Sequence, residues 1–298
     1  MSRIQEILSK AEREGTVRRT RSLSDSSPAA AAVAHATPPP PRLQPPPFEP
    51  SSAPWTPTAT APVLDVPEPN VATPTLDARL IAALSPQAPA AERYRLLRTR
   101  IKRAENGRIV KSIIVTSPAT GDGKSLTAAN LALTMAQEFH QRVLLLDADL
   151  RRPSTAALFG IPEGPGLSDV LLGLQEIEQA LVHLPDQHLT VLPAGSPAAQ
   201  PAELLGSAAM RRVLDTLRSQ FDRILIDMPP VAPLADVHVM APISDGVLMV
   251  VRAGITPKPA IERALSGLDM GKVLGLVLNA AGEPTPDGYP DGYGYIGG

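Results

Sequence analysis

The sequence predicts an α/β fold in which a mostly parallel β-sheet is flanked by helices. From Lys111 onward, short β-branched apolar runs alternate with helical segments, as in parallel β-α-β units. Residues 143–146 are continuously apolar, which indicates a strand that is buried on both faces. A proline-rich region precedes this part of the chain, and a glycine-rich segment with tyrosines follows it. We therefore expect one folded domain between a disordered N-terminal region and a flexible tyrosine-containing tail.

The proline-rich region sets the first boundary. Prolines at positions 38–41 and 45–47, and repeatedly up to position 74, exclude a helix or a central strand. Residues 1–75 are therefore predicted to be disordered or polyproline-like. This region starts with a short amphipathic stretch, residues 4–8, followed by four arginines that form a solvated charge run or touch an anionic membrane or a partner (Arg13, Arg18, Arg19 and Arg21).

Composition excludes several classes of protein. The formal net charge of −2 over 298 residues gives no support to a nucleic-acid partner. Cysteine is absent, which excludes disulfides and cysteine metal ligands and fits a cytoplasmic protein. The N-terminus lacks the apolar core of a signal peptide, and no run approaches about 18 uncharged apolar residues. We therefore expect a soluble chain.

Residues 76–106 are predicted to be a helical segment ahead of the sheet. Tyr94, Leu97 and Ile101 follow each other at i, i+3 and i+7, so one helix face should pack on the domain. Charged residues occupy a neighbouring face that is predicted to point outward, namely Glu92, Arg95 and Arg98. The spacing alone favours a solvated helix with internal ion pairs over a contact with another subunit.

Residues 107–282 are predicted to form the sheet domain. The predicted strands are residues 112–116, 142–146, 189–192, 223–226, 246–251 and 273–278. The main predicted helices are residues 126–139, 202–220 and 258–270. Sheets of this kind bind ligands at the carboxyl ends of their strands. The motifs described next all lie at such ends.

A glycine-rich turn, Ser-Pro-Ala-Thr-Gly-Asp-Gly-Lys-Ser at residues 117–125, joins the first predicted strand to the first main helix. Such a turn directs backbone N–H groups and the helix dipole at a phosphate, while Lys124 adds a positive charge and Ser125 a hydroxyl for Mg²⁺. Pro118 stands where the strict motif has a glycine. The sequence therefore predicts ATP binding by six successive residues: Gly121, Asp122, Gly123, Lys124, Ser125 and Leu126.

Three aspartates follow apolar strands downstream of this turn. Asp147 and Asp149 are two residues apart, so their carboxylates project to the same side of an extended strand. One can order Mg²⁺ while the other accepts a proton from an attacking hydroxyl, and we choose Asp147 as the base and Asp149 for the metal or its water. Asp227 follows residues 223–226, as the Walker B metal position requires. The predicted metal ligands are thus Ser125, Asp149 and Asp227, and the predicted catalytic residues are Lys124, Asp147, Asp149 and Asp227.

Two further residues have two interpretations each. Arg151 either neutralises phosphate charge or fixes the loop after the aspartates. Asn279, at the end of the last predicted strand, either contacts adenine or is a satisfied strand-end amide. Both are included among the predicted ATP-binding residues.

With these motifs, residues 85–298 resemble the bacterial tyrosine kinases of capsular and exopolysaccharide biosynthesis. That family lies within the deviant Walker A class of P-loop ATPases, which includes ParA and MinD. Residues 117–125 resemble its Walker A motif, residues 144–153 its Walker A′ motif and residues 224–230 its Walker B motif. Ala119 stands where ParA- and MinD-like proteins have a signature lysine, which favours the kinases.

The resemblance implies an assembly and a substrate. The spacing of Glu92, Arg95 and Arg98 is similar to the family's subunit-contact motif, which closes kinase domains into a ring and so favours a homo-oligomer. Residues 283–298 resemble the family's C-terminal tyrosine cluster, so the expected phosphoacceptors are Tyr289, Tyr293 and Tyr295. Glycine, proline and aspartate around each tyrosine disfavour helix or strand and should leave the phenols exposed.

The function that the resemblance implies is an ATP- and Mg²⁺-dependent protein tyrosine autokinase that acts in trans and regulates polysaccharide polymerisation and export. Its implied partners are a separate membrane-spanning co-polymerase, which recruits it to the inner face of the membrane and activates it, and a cognate tyrosine phosphatase. Two alternatives stay open: a ParA/MinD-like positioning ATPase without a protein substrate, and a non-enzymatic ATP-binding regulator of an export complex.

Overall fold

The computed structural model describes residues 75–138 and 141–281, which form a seven-stranded sheet. The strands are β1 (Ser112–Thr116), β2 (Val143–Asp147), β3 (Val182–Leu184), β4 (Leu189–Leu192), β5 (Arg223–Asp227), β6 (Gly246–Arg252) and β7 (Val273–Asn279). Their order is β3-β4-β2-β5-β1-β6-β7, and all neighbours are parallel except β3 and β4. The predicted fold class, a mostly parallel sheet flanked by helices, is confirmed for this part of the chain. The predicted N-terminal region and tyrosine tail lie outside the described residues, apart from residue 75.

Helices cover both faces of the sheet. One layer consists of α1 (Ile81–Leu84), α2 (Pro89–Ala104), α3 (Lys124–Ala136) and α4 (Thr155–Leu158). The other layer consists of α5 (Leu167–Leu171), α6 (Ile177–Ala180), α7 (Pro201–Leu205), α8 (Ala208–Gln220), α9 (Asp236–Met240) and α10 (Lys258–Ser266). Two short 3₁₀ turns, Pro185–Gln187 and Ala241–Ile243, complete the described elements. No helix within residues 75–138 and 141–281 is both long and apolar enough to cross a membrane.

The central strands are apolar throughout because they face a core on each side. In β2, Leu144 and Leu146 belong to the core under α5–α10, whereas Val143 and Leu145 belong to the core under α1–α4. The same alternation places Ile114 on one side of β1 and Val115 on the other. Successive side chains of a strand point to opposite faces, so a sheet with two covered faces needs continuous apolar runs.

The helical segment before β1 packs as predicted, but one of its charged residues does not. Ile101 is buried in the core under α1–α4, and Tyr94 and Leu97 are partly buried against it. Arg98 was predicted to point outward, and this is wrong: its guanidinium donates to the carbonyl oxygen of Thr134 at 2.7 Å. A cation is stabilised at this position because the last carbonyl groups of α3 lack helical partners.

Four other elements differ from the prediction, and the first is α3, which begins at Lys124 and ends at Ala136 where residues 126–139 were predicted. β3 was missed because it has only three residues, too few for a periodic signal. The predicted helix 202–220 is broken into α7 and α8, since Ser207 leaves the helical conformation and its hydroxyl accepts a hydrogen bond from the Met210 amide at 3.2 Å. The predicted helix 258–270 ends at Ser266, with Gly267 as its C-terminal cap.

Candidate active site

The glycine-rich turn lies between β1 and α3, at the carboxyl edge of the sheet. Gly121 and Gly123 have φ angles of +88° and +93°, a region that side chains disfavour. A Cβ atom on Gly123 would lie 2.0 Å from Nδ2 of Asn279, which packs against the turn. Lys124 is the first residue of α3, so the turn leads directly into a helix N-terminus. This is the geometry that binds a phosphate group through backbone N–H groups.

Replacing Gly123 by alanine is expected to weaken nucleotide binding about tenfold or more. The left-handed backbone disfavours a Cβ by about 1–2 kcal/mol, and the amide of Asn279 must also be displaced. Gly107→Ala is the matched control, because Gly107 has a φ of +79° but nothing within 4 Å of its would-be Cβ. Titration with a fluorescent ATP analogue measures both variants, and equal dissociation constants would contradict the assignment of the turn.

Lys124 lies among the predicted carboxylates. Its Nζ is 2.7 Å from Oδ2 of Asp149 and 3.5 Å from Oδ1 of Asp227. It also donates to the hydroxyl of Ser125 at 3.0 Å. These contacts form because β2 and β5 are neighbours whose last residues, Asp147 and Asp227, stand opposite each other.

The electrostatics of this cluster are set by burial. Burial lowers the pKa of Lys124, but the attraction of Asp227 and Asp149 outweighs it, so its pKa is raised overall. Burial raises the pKa of Asp227 to about 7, against the opposing effect of Lys124. Neither carboxylate oxygen of Asp227 accepts a hydrogen bond from any described residue. A buried carboxylate without hydrogen bonds is costly, and a bound cation would relieve this cost.

The site fits Mg²⁺ that is held jointly with a nucleotide. Within the described ranges, no three acidic or imidazole groups are placed to bind a metal ion by themselves. Mg²⁺ commonly takes one or two carboxylates, with substrate phosphates and waters completing its shell. Asp227, Asp149 and the hydroxyl of Ser125 supply the donor types that such a shared site needs.

The two aspartates after β2 have different surroundings. One oxygen of Asp147 accepts a hydrogen bond from the Asp149 amide at 3.1 Å, and the other accepts from the amides of Ser154 and Thr155 at 3.1 and 3.0 Å. Burial raises the pKa of Asp147, and these hydrogen bonds oppose the rise. Asp149 instead lines the open cavity beside Lys124. Asp147 therefore holds the loop, and Asp149 faces the space where a substrate can bind.

Arg151 fixes this loop to a distant helix. Its guanidinium donates to both carboxylate oxygens of Asp236 in α9, at 2.8 and 3.0 Å. The side chain of Asp236 is fully buried, so its charge needs this partner. Of the two interpretations of Arg151, the geometry favours loop fixation.

We expect Arg151→Met to lower the free energy of unfolding by about 2 kcal/mol, since it leaves a buried carboxylate without its cation. Adding Asp236→Asn should recover part of this loss, because asparagine has no buried charge that would be left without a partner. Arg211→Met is the control, as the Arg211 side chain has no hydrogen bond or ion pair among residues 75–138 and 141–281. Urea unfolding measures all four proteins, and an equal loss in both single arginine variants would contradict the expectation.

Asp122 and Asn279, two of the predicted ATP-binding residues, stabilise the glycine-rich turn through hydrogen bonds. The Asp122 carboxylate accepts hydrogen bonds from the Ala119 amide at 3.0 Å and the Thr256 hydroxyl at 2.6 Å. The amide of Asn279 donates to the carbonyl oxygen of Asp122 at 2.8 Å. Asn279 thus gives the Asp122 carbonyl oxygen a hydrogen-bond donor, and its side chain also lines the cavity. Thr256 was missed by sequence reasoning, because it lies 134 residues from Asp122 and no motif connects them.

A cavity of about 870 Å³ opens over these residues, within the range typical of small-molecule sites. Its lining includes most of the predicted ATP-binding residues, namely Gly121, Gly123, Lys124, Ser125, Leu126, Arg151 and Asn279, together with the predicted metal ligand Asp149. It also includes three arginines that the sequence analysis did not single out, Arg79, Arg152 and Arg252. Of these, only Arg152 had a local signal, since it directly follows the predicted Arg151.

A second cleft, of about 500 Å³, lies near the amino end of β1 and contains basic residues. Lys272, on its wall, donates to three carbonyl oxygens, those of Ala241, Pro242 and Ser244. Arg218 donates to the carbonyl oxygen of Ile243 and to Asp245. Neither the glycine-rich turn nor the aspartate cluster reaches this cleft, so the chemistry is placed at the carboxyl edge of the sheet.

The parallel sheet, the glycine-rich turn and the lysine among carboxylates define a P-loop nucleoside-triphosphate-binding protein. The sequence model of the AAA domain family matches residues 110–267, which is more than half of the chain. Tyrosine-protein kinase YwqD of Bacillus subtilis (strain 168) is 37% identical over 202 residues, which cover 67% of this chain and 85% of YwqD. Succinoglycan biosynthesis transport protein ExoP of Rhizobium meliloti (strain 1021) is 32% identical over 200 residues, which cover 65% of this chain and 25% of ExoP.

A solved structure gives the same result. The kinase domain of the Escherichia coli tyrosine kinase ETK superimposes with a TM-score of 0.66 at 28% identity, over 72% of this chain and 84% of that chain. The chain therefore belongs to the bacterial tyrosine-protein kinases, and the resemblance predicted from its motifs is confirmed. It is accordingly a protein-tyrosine kinase with a P-loop fold.

Proposed function

We propose that the protein is an ATP- and Mg²⁺-dependent tyrosine autokinase that phosphorylates Tyr289, Tyr293 and Tyr295 of another copy of the chain. The observation that carries this proposal is the position of Lys124, which lies at a helix N-terminus between Asp149 and Asp227. A kinase needs this combination of a phosphate-binding cation, metal-binding carboxylates and a proton acceptor in one place.

Each site residue has a role in the proposed transfer. The backbone of residues 121–126 and the Lys124 ammonium hold the β- and γ-phosphates. Ser125 and Asp227 would hold Mg²⁺, which would supply positive charge that offsets the charge of the phosphates, while Asp149 would stay outside its shell as the proton acceptor. The phenolic oxygen forms a bond to the γ-phosphorus, the bond from that phosphorus to the bridging oxygen breaks, and ADP leaves. Arg151 keeps the aspartate loop in position through Asp236, and Asn279 supports the turn.

The phenolic proton needs an acceptor, since a tyrosine has a pKa of about 10. The geometry favours Asp149 over the predicted Asp147, because Asp149 lines the cavity and the oxygens of Asp147 accept three backbone hydrogen bonds. In the structure Asp149 is paired with Lys124. Bound phosphates would draw the ammonium away and leave this carboxylate able to accept the proton.

The proposed assembly is a homo-oligomer that brings one chain's tail to another chain's site, with kinase domains closing into a ring. Glu92 and Arg95 pair within α2 at 2.8 Å, and the Glu92 side chain is 58% exposed, so it is accessible to a neighbouring subunit. Arg98, the third predicted contact residue, holds the end of α3 and can position α2 for this contact. Residues 282–289 span at most about 25 Å when extended, enough to cross a subunit contact.

The biological role we propose is control of polysaccharide polymerisation and export, supported by the likeness to a succinoglycan biosynthesis transport protein. In this role a separate membrane-spanning co-polymerase recruits the kinase to the inner face of the membrane and activates it. A cognate tyrosine phosphatase would return the tail to its unmodified form.

Incubation with Mg²⁺ and γ-labelled ATP, in the presence of the activating co-polymerase, tests the proposal. We expect label on tyrosine in the wild-type chain and none in a tail-Phe chain, in which Tyr289, Tyr293 and Tyr295 are replaced by phenylalanine. Phosphate release without labelled protein would instead support a ParA/MinD-like positioning ATPase. Bound ATP without release or transfer would support a non-enzymatic regulator of an export complex.

A further inference from the structure

The cavity over the site contains one cation, Arg152, that has no partner among residues 75–138 and 141–281. The side chain of Arg152 lines the cavity, yet it makes no hydrogen bond or ion pair with any residue in the described part of the chain. The other cations of the lining are each engaged: Lys124 with Asp149, Arg151 with Asp236, Arg79 with Asp77, and Arg252 with the Gly121 carbonyl. An exposed guanidinium in a substrate cavity is suited to bind a carboxylate with two hydrogen bonds.

The tail contains a matching feature. The sequence Pro-Asp-Gly-Tyr occurs twice in succession, ending at Tyr289 and at Tyr293. Each of these tyrosines therefore has an aspartate two residues before it, Asp287 or Asp291. Tyr295 lacks this feature, because the residue two positions before it is Tyr293.

We propose that Arg152 binds the carboxylate two residues before the acceptor, so that Asp-Gly-Tyr is the sequence the site selects. The inference rests on the proposed autokinase function and specifies its substrate. In an extended peptide, residues i and i+2 point to the same side and are about 6.6 Å apart. The Arg152 amide donates to Asp149 at 3.0 Å, so the base of the Arg152 side chain lies beside the proton acceptor. A phenol at Asp149 thus brings the preceding carboxylate within reach of Arg152.

The glycine between the two residues fits the same arrangement. With no Cβ, it lets the substrate backbone approach the wall of the cavity closely. Loss of one charge-assisted pair of hydrogen bonds should slow transfer to the affected tyrosine about tenfold.

The test uses two chains, each unable to act alone. The donor is the tail-Phe chain, and the acceptor is Lys124→Met, which keeps its tail. Mass spectrometry measures the initial rate of phosphorylation at each tyrosine. The readout is the ratio of the Tyr289 rate to the Tyr295 rate, because a change in nucleotide binding affects both rates alike. We expect Asp287→Asn in the acceptor to lower this ratio about tenfold and to leave the ratio of Tyr293 to Tyr295 unchanged.

Arg152→Ala in the donor should lower both ratios, and combining it with Asp287→Asn should lower the Tyr289 ratio no further. Arg152→Glu in the donor with Asp287→Lys in the acceptor should restore part of the lost ratio. Ratios that do not respond to Arg152→Ala would overturn the inference and assign this arginine to the nucleotide or to the loop. Absence of tyrosine labelling with the unmodified donor and acceptor pair would contradict the proposed function itself.

Discussion

Lys124→Met is expected to lower the rate of tyrosine phosphorylation by about 10³-fold or more. The ammonium is the cation closest to both aspartates that face the phosphate turn, at 2.7 Å from Asp149 and 3.5 Å from Asp227. Methionine has a similar length but no charge, so the phosphates lose the group that offsets their charge during transfer. Steady-state labelling of the tail measures the loss.

The control for this variant is Lys258→Met, at a lysine that is 86% exposed and whose one ion pair within the described part of the chain is with Glu262 on the surface of α10. It should keep the wild-type rate, because exposed ion pairs contribute little. Urea unfolding of the Lys124 variant checks that the sheet is intact. Retention of more than about a tenth of the wild-type rate in a folded Lys124→Met chain would contradict the role assigned to this residue.

Asp227→Asn should combine a large loss of activity with a gain in stability. Because Asp227 is the fully buried carboxylate proposed to hold the metal, we expect the phosphorylation rate to fall by about 10²-fold or more. The same burial disfavours its charged form in the nucleotide-free protein, and asparagine has no charge to bury.

The pH dependence of this gain follows from the raised pKa. Burial raises the pKa of Asp227 to about 7 in the folded chain, from an ordinary value of 3.8. Between pH 4 and 7 the unfolded chain ionises this group while the folded chain keeps it protonated, so wild-type stability falls as the pH rises. Above pH 7 the loss stays constant. The stability advantage of Asp227→Asn should therefore grow across this window, to at most about 4 kcal/mol.

Urea unfolding at pH 5 and pH 8 measures this advantage, with Asp186→Asn as the control at an exposed aspartate. The control should show no widening between the two pH values. An Asp227→Asn advantage that is the same at both pH values would show that this carboxylate ionises normally in the folded chain.

Much of the site was predictable because its motifs are local. The left-handed angles at Gly121 and Gly123 and the lysine at the helix start follow from a short stretch of sequence. The aspartates after β2 and β5 meet because the carboxyl ends of parallel strands share one edge of the sheet. The continuous apolar run of β2 likewise follows from the burial of its side chains on both faces of the sheet.

What was not predictable depends on contacts between distant residues. Arg151 and Asp236 are 85 positions apart, and no spacing in the sequence indicates that they pair. The inward turn of Arg98 depends on where the end of α3 lies, which the pattern of α2 alone does not contain. The proton acceptor is a similar case, since the sequence does not indicate that Asp147 accepts three backbone hydrogen bonds while Asp149 pairs with Lys124 and lines the cavity.

The central claim, that the site of one chain phosphorylates the tail of another, is tested most directly by mixing two inactive variants. Lys124→Met keeps its acceptor tyrosines and lacks the phosphate-binding cation, whereas the tail-Phe chain keeps its site and lacks acceptors. Neither should be labelled on tyrosine when incubated alone with γ-labelled ATP and the activating co-polymerase. In the mixture, we predict label on Tyr289, Tyr293 and Tyr295 of the Lys124→Met chain. An unlabelled mixture, under conditions in which the wild-type chain labels its own tail, would contradict transfer between chains.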